Sequence, residues 1–298
     1  MLTQISIIQS IAASMLDTAM RSVNIIHPGR MSPEKMVEMT TAYFNGSRPD
    51  HGNFVANDGG QFAAGLLYRK IRDPFKDYYY IQFYHTEDAY RHLGHTTALV
   101  RKMLYKAQSE GVREVSARVQ DWNVASWRML TNRLEFKPHE RIYYYLLKED
   151  EVFENTKKAE PYVYQEGDES LLAAVVGDRF INRAERTGGS TLSRDAFVNS
   201  LAKYLNNGAE KYVLTDSEKS VVAICEPVRH PYKDFLYVKI YSDDTEKMRE
   251  LLQKIKTLAK LLDLFEISIR VFCGDINMEQ FLVTNGFWLS DTSYAYHF

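Results

Sequence analysis

The stretch Tyr80-Ile-Gln-Phe-Tyr-His-Thr-Glu-Asp-Ala-Tyr-Arg-His-Leu-Gly-His-Thr-Thr-Ala-Leu-Val100 decides the fold, because a strand, a loop and the start of a helix follow one another in it. Residues 78–84 are aromatic or β-branched with only Gln82 polar, which predicts a strand covered on both faces. From His95 onward the apolar residues recur at helical spacing, and Gly111 supplies a stop signal. These apolar positions are Leu99, Val100, Met103, Leu104 and Ala107.

The predicted helix begins directly after a glycine, Gly94. A glycine at this position lets a ligand approach the backbone closely. The amides at the start of a helix have no partner within the helix, and with the helix dipole they form an anion site. Here these are the amides of Leu93, His95, Thr96 and Thr97. The sequence therefore predicts that an anionic group binds at this helix start.

The segment Arg91-His92-Leu93-Gly94-His95-Thr96 resembles the pyrophosphate-binding motif of the GNAT superfamily of acetyl-CoA-dependent N-acetyltransferases. That motif reads Arg/Gln-x-x-Gly-x-Gly/Ala, and Thr96 stands where the family prefers Gly or Ala. In the family, the next strand leads to an Asn, a short helix and a closing Leu-Gly-Phe. Here a strand predicted at residues 114–119 is followed by Asn123 and a closing Leu134-Glu-Phe136, with one residue more than usual and Glu135 in place of the glycine. Two motifs in order, at matching spacing, indicate this family.

The resemblance implies an α/β (α+β) fold with two GNAT-like domains, each a mixed, mostly antiparallel central sheet flanked by helices. It implies acetyl-CoA (coenzyme A) as cosubstrate and no metal. The implied cofactor-binding residues are Tyr84, Arg91, His92, Leu93, Gly94, His95, Thr96, Thr97, Asn123 and Ser126. Asn123 and Ser126 also suit helix capping. The tyrosine with which the family often protonates the departing thiolate corresponds here to Leu130 or Thr131, so solvent, Ser126 or a neighbouring tyrosine are the alternative acids.

Two residues at the end of the predicted strand are candidate catalytic groups, His85 and Glu87. A neutral imidazole can accept a proton from an ammonium group near neutral pH. A structural role for His85 and a solvated role for Glu87 are the alternatives. Nearby histidines and Asp88 could also suggest a metal site, but the positive potential around Gly94 suits an anion and not a cation.

The length of 298 residues and the 45% hydrophobic content suit two domains. We expect a GNAT acetyltransferase domain at residues 1–148, a polar linker at 149–160 and a degenerate GNAT-like domain at 161–298. The second half repeats the order of elements, but residues 241–245 replace the glycine loop with a short segment that carries two aspartates. Because carboxylates repel phosphate, the second domain is not expected to bind CoA there.

Composition excludes several classes of protein. The net charge is −2 and the Lys and Arg residues are dispersed along the chain, which disfavours a nucleic-acid partner. The chain has no signal peptide pattern and no apolar run near the roughly 18 residues that a membrane span needs. Its two cysteines show no metal or redox spacing, which favours a reducing cytoplasm.

The sequence thus predicts a cytoplasmic acyltransferase that moves an acetyl group from acetyl-CoA to an amine of a small molecule or peptide. Two alternatives stay open: a non-catalytic acyl-CoA-binding or interaction module, and an aminoacyl transferase of the tandem-GNAT type. The sequence leaves open the identity of the acceptor, the role of the second domain, the formation of a homodimer and whether the acyl group is only acetyl.

Overall fold

The computed structural model describes residues 4–21, 32–46, 48–72, 77–148, 162–163, 193–216, 218, 222–229, 234–241 and 244–298. These residues form two compact units. Unit 1 contains the described residues up to Pro138 together with those from Thr292 onward, and unit 2 contains those from His139 to Asp291. The linker predicted at residues 149–160 lies outside the described residues.

Unit 1 is a sheet with helices on both faces. Its elements are α1 (Gln4–Arg21), α2 (Pro33–Phe44), β1 (His51–Asp58), β2 (Gln61–Arg72), β3 (Asp77–Thr86), a 3₁₀ turn (Asp88–Tyr90), α3 (His95–Ser109), β4 (Glu114–Gln120) and α4 (Val124–Arg128), which continues as a π-helix (Met129–Arg133). The strands follow the order β1-β2-β3-β4, and the last strand of the chain, β11 (Trp288–His297), lies beside β4. The β3–β4 pair is parallel, whereas β1–β2 and β2–β3 are antiparallel.

Local signals in the sequence account for the elements of unit 1. Ser32 caps α2 by accepting a hydrogen bond from the amide of Lys35, and Pro33 follows as the first helical residue. Gly59 and Gly60 both have positive φ, at 56° and 80°, as the tight turn between β1 and β2 requires. One apolar cluster packs α3 against the sheet through Val100 and other residues, and a second packs α1 and α2 against the opposite face.

Unit 2 repeats this architecture. Its elements are β5 (Lys137–Leu146), β6 (Tyr162–Val163), α5 (Arg194–Leu205), β7 (Tyr212–Thr215), β8 (Val222–Arg229), β9 (Asp234–Tyr241), α6 (Thr245–Leu261), β10 (Glu266–Phe272) and α7 (Ile276–Thr284). The strand order is β5-β10-β9-β8-β7-β6, with β9–β10 parallel and the other pairs antiparallel. The predicted fold class, with a mixed and mostly antiparallel sheet flanked by helices in each domain, is confirmed.

The closing strands are distributed differently from the predicted domains 1–148 and 161–298. From His139 onward, β5 pairs with β10 in unit 2, with Ile142 opposite Arg270 and Tyr144 opposite Ser268. The end of the chain completes unit 1, where the amide of Phe298 donates to the carbonyl of Arg113. Both closing strands are rich in tyrosine, so the local pattern does not specify which sheet each one joins.

Among the described residues, no helix is both long and apolar enough to span a membrane.

Candidate active site

The candidate site lies where the two central strands of unit 1 separate. β3 and β4 pair over only three positions, from Tyr79 opposite Val115 to Ile81 opposite Ala117. Both strands then continue, β3 to Thr86 and β4 to Gln120. The backbone groups of two diverging parallel strands lose their mutual partners, so the gap can accept an extended ligand between the strands.

An irregularity in β3 lies next to this gap. Leu67 of β2 pairs with Phe83, whereas Tyr68 pairs with Ile81, so Gln82 is an extra residue on β3. Such a bulge bends the strand and redirects the following side chains. The sequence showed Gln82 only as the one polar residue of the strand and did not reveal the bulge.

The start of α3 presents backbone amides next to a glycine cap. Gly94 is the N-cap with φ 86°, in the left-handed region that favours glycine, and a Cβ there would meet nothing within 4 Å. The first intrahelical bond runs from the amide of Ala98 to the carbonyl of Gly94. The amides of His95, Thr96 and Thr97 therefore have no partner within the helix.

The loop before α3 is open to solvent at its tip. The side chains of Arg91 and His92 are exposed, and Leu93 is 63% exposed. Arg91 forms an ion pair with Asp88 at 2.6 Å, and His92 has a positive φ of 68°. No described partner holds Leu93 or His92, so both are accessible to a ligand.

Side chains of the helix start fasten the loop to the rest of unit 1. His95 Nε2 lies 3.4 Å from Asp58 Oδ2 in the β1–β2 hairpin, and its ring meets Tyr90 edge-on at 5.9 Å. The hydroxyl of Thr96 shares a hydrogen bond with that of Thr86, and Thr97 is buried. The His95 side chain therefore contacts the hairpin, and its backbone amide is the group left for an anion.

A second contact joins β3 to the segment after β4. The side chain of Asn123 caps α4 by accepting a hydrogen bond from the amide of Ser126 at 3.1 Å. The buried hydroxyl of Ser126 is hydrogen-bonded to that of Tyr84. Burial raises the pKa of Tyr84 to about 12, so this phenol keeps its proton at neutral pH. The predicted cofactor-binding residues Tyr84 and Ser126 are thus in contact.

The residue that made the second motif longer than usual is accommodated in a π-helix, Met129–Arg133, which takes up one additional residue per turn. Leu130 is fully buried in the core, and the hydroxyl of Thr131 donates to the carbonyl of Trp127. Neither side chain can act as an acid. Glu135, which replaces the family's glycine, has a φ of 62° and so adopts the backbone conformation of that glycine.

The two candidate catalytic residues meet on the other face of β3. His85 Nε2 lies 3.4 Å from Glu87 Oε1, and the His85 side chain is 14% exposed. The imidazole also stacks on Phe62 at 6.3 Å. The hydroxyl of Ser10, in α1, donates to the same oxygen of Glu87. Sequence reasoning missed Ser10, although a serine three residues from Ile7 and next to Ile11 on an apolar helix face was a usable signal.

In unit 2 the corresponding region lies where β9 and β10 separate, and its side chains are chemically different. β9 and β10 also pair over three positions, ending at Val238 opposite Ile269. The cavity beyond that point measures only about 40 Å³, and charged side chains from three strands line it, Lys239, Arg270 and Glu140. Arg270 lies 3.4 Å from Glu140.

Within the part of the chain that the structure describes, no cluster of three or more His, Cys, Asp or Glu residues could hold a metal ion.

Comparison with known proteins identifies the family of unit 1. Residues 19–136 match the model of the acetyltransferase (GNAT) family. This segment is a GNAT domain. It contains the diverging strands, the Gly94 loop and the Asn123 helix described above. Among curated proteins, no sequence matches the chain significantly.

Solved structures agree with this fold. A GCN5-related N-acetyltransferase from Sphaerobacter thermophilus aligns over 89% of this chain and 85% of its own, with a TM-score of 0.54 and 14% identity. A putative acetyltransferase from Pyrococcus horikoshii aligns over 97% of this chain and 87% of its own, with a TM-score of 0.50 and 12% identity. At these identities the likeness concerns the fold alone.

Proposed function

We propose that unit 1 is an N-acetyltransferase that moves an acetyl group from acetyl-CoA to an amine of a small molecule or peptide. The observation that carries this proposal is the position of the α3 start, with its glycine cap and open amides, beside the gap between β3 and β4. The amides suit a pyrophosphate, and the gap suits the extended arm of CoA. The family match over residues 19–136 supports the same reaction class.

One face of β3 carries the groups that act on the acceptor amine, and the opposite face carries the groups that act on acetyl-CoA. On the α1 side, His85 and Glu87 lie together and can take a proton from the acceptor ammonium. On the α3 side, Tyr84 and Ser126 form a hydroxyl pair that can deliver a proton to sulfur. The amine nitrogen bonds to the thioester carbon, and amides of the diverging strands stabilise the oxyanion.

Breaking the carbon–sulfur bond completes the reaction. The sulfur gains a proton from the Tyr84–Ser126 pair, and the second proton of the nitrogen passes through water to that pair, which returns to its starting state. The proton taken up on the α1 side returns to water, so one proton is released for each acetyl group transferred. Tyr84 can take the donor role because its hydroxyl is protonated at neutral pH and is hydrogen-bonded to Ser126.

Titration calorimetry with CoA and a screen for CoA release test this function. The screen offers acetyl-CoA together with amines, peptides and antibiotics as acceptors. We expect one CoA per chain, because the corresponding gap of unit 2 holds only a cavity of about 40 Å³ that charged side chains line. CoA binding without turnover for any acceptor would favour a non-catalytic acyl-CoA-binding module, and two equivalent sites would contradict the assignment of unit 2.

A further inference from the structure

Three elements of unit 1 converge on the carboxylate of Glu87. The residue follows β3 directly, and its amide donates to the carbonyl of Ala63 in β2. Its Oε1 accepts a hydrogen bond from Ser10 of α1 and lies 3.4 Å from Nε2 of His85. The last distance is slightly long for a hydrogen bond, as is common in sites without substrate. Among the described residues, no group makes a hydrogen bond of ordinary geometry to His85 Nε2, and Glu87 Oε1 lies 3.4 Å from it.

A glycine in β2 permits this arrangement. Gly65 pairs with His85 in the β2–β3 register. A Cβ on Gly65 would lie 2.6 Å from Cδ1 of Ile11, which is 1% exposed. Helix α1 therefore packs against the sheet at a position without a side chain. Because Ser10 precedes Ile11, this close approach brings its hydroxyl to Glu87.

We propose that Ser10 is a positioning residue for the catalytic base, and that α1 is part of the machinery that removes the acceptor proton. This inference rests on the proposed function. Ser10 holds the Glu87 carboxylate against His85, and the carboxylate in turn orients the imidazole with Nε2–H toward Oε1. The lone pair on Nδ1 then faces away from Glu87 and takes the proton.

The arrangement divides the roles of the two residues that the sequence left as equal candidates. His85 is the group that exchanges protons with the acceptor, since imidazole accepts a proton near neutral pH. Glu87 stabilises the imidazolium that forms, as an opposite charge within hydrogen-bonding reach does. Ser10 contacts neither substrate and acts only through Glu87.

A double-mutant cycle on kcat tests the coupling. We expect Ser10→Ala and Glu87→Gln each to lower kcat by about 10- to 100-fold, less than the 10²- to 10⁴-fold typical of losing a general base. The KM for acetyl-CoA should not change, because the pair lies on the face of β3 opposite Tyr84. The double variant should be no slower than Glu87→Gln alone, because Ser10 acts through that carboxylate.

Two control variants distinguish positioning from simple packing. Ser10→Thr keeps the hydroxyl and should restore the rate. Ser14→Ala removes a hydroxyl one turn further along α1 and should leave the rate at the wild-type level. Multiplicative losses in the double variant, or equal losses in Ser10→Ala and Ser14→Ala, would overturn the proposal.

A measurement that needs no turnover separates this inference from the proposed function. In protein labelled with ¹⁵N-histidine, the His85 Nε2–H proton should be protected from exchange with water in the wild type and in Ser10→Thr. In Ser10→Ala and Glu87→Gln its resonance should be lost. If no acceptor is ever acetylated but this pattern holds, the proposed function fails and the positioning role stands. Retention of the resonance in Ser10→Ala contradicts the positioning role, whatever the activity.

Discussion

Both units contain a pair of parallel strands that separate, β3–β4 in unit 1 and β9–β10 in unit 2, with a helix that connects them. The residues at the start of that helix differ between the units. In unit 1 the helix that connects the two diverging strands is capped by Gly94, which offers no side-chain acceptor to the first amides. In unit 2 it is capped by Asp244, whose carboxylate accepts from the amides of Glu246 and Lys247. Two of the three amides that are open to a ligand in unit 1, those of the second and third helical residues, therefore have a side-chain partner in unit 2. The fold supplies a helix start in both places, and the cap residue decides whether it can bind an anion.

The largest effect is expected at the cap of α3. Gly94→Glu should abolish measurable CoA binding, because the new carboxylate would enter the open space in front of the amides and repel phosphate. Gly111→Glu is the matched control, since Gly111 has a φ of 70° and open space at the other end of the same helix. Titration calorimetry should find wild-type CoA affinity in the control alone. Equal affinity in both folded variants would refute the loop assignment.

The next largest effect is expected at the proton acceptor. His85→Gln should lower kcat/KM by about 10² to 10⁴ while CoA affinity stays unchanged. A variant that keeps the wild-type rate with every acceptor would assign deprotonation to water and leave His85 a structural residue.

The turn at Glu135 in unit 1 and the corresponding turn at Gly286 in unit 2 give opposite expectations for the free energy of unfolding. Glu135 and Gly286 both have positive φ, at 62° and 83°. A left-handed conformation costs a residue other than glycine roughly 1–2 kcal/mol. Gly286→Ala should lower the free energy of unfolding by about that amount, also because its Cβ would lie 3.3 Å from the ring of Tyr145.

Glu135→Gly should raise the free energy of unfolding by roughly 0.5–1 kcal/mol, because the relief of strain exceeds the entropy cost of glycine. Urea denaturation of Gly286→Ala and Glu135→Gly measures the two changes in the free energy of unfolding. A destabilised Glu135→Gly would mean that the Glu135 side chain makes a contribution larger than the strain.

Removing the carboxylate cap of α6 tests whether that cap alone excludes CoA from unit 2. Asp244→Ala should lower the free energy of unfolding by about 1 kcal/mol, the usual loss on removing an N-cap. It should not create a second CoA site, because Lys239, Arg270 and Glu140 still line the gap between β9 and β10. Calorimetry that finds two CoA molecules per chain in this variant would show that the cap alone had excluded the ligand.

The smallest effect concerns the far end of α3, where Glu110 accepts hydrogen bonds from Lys106 and Tyr79. The bond from Lys106 lowers the pKa of Glu110, so its stabilising contribution is present above the unfolded pKa and is lost as pH falls through the folded pKa. Between pH 7 and about 3, the wild type should therefore lose more stability than Glu110→Gln. We expect a difference below about 1 kcal/mol, since the pair is partly exposed. An identical acid dependence in both proteins would assign Glu110 no role in holding α3.

Elements defined by short-range patterns were predictable from the sequence. The helix from His95, the hairpin around Gly59 and Gly60 and the caps at Ser32 and Ser193 are all present. Their signals lie within one turn or one strand, where spacing and capping chemistry act directly. The glycine loop belongs to the same group, because its open amides come from the helix start itself.

Features that depend on distant contacts were not predictable. The bulge at Gln82 appears only when the registers of β2 and β3 are compared. The Tyr84–Ser126 contact joins two segments across the gap, and the exchange of closing strands follows from which sheet edge each strand meets.

The sequence by itself therefore determined that this protein has a strand and a glycine-capped helix in its first half, and a helix preceded by two aspartates instead of a glycine loop in its second. Tertiary structure alone decided which side chains meet at the site. Ser10 reaches Glu87 only because Gly65, far from both in sequence, lets α1 approach β2. Backbone conformation follows from neighbouring residues, whereas a catalytic contact depends on how closely separate elements can pack.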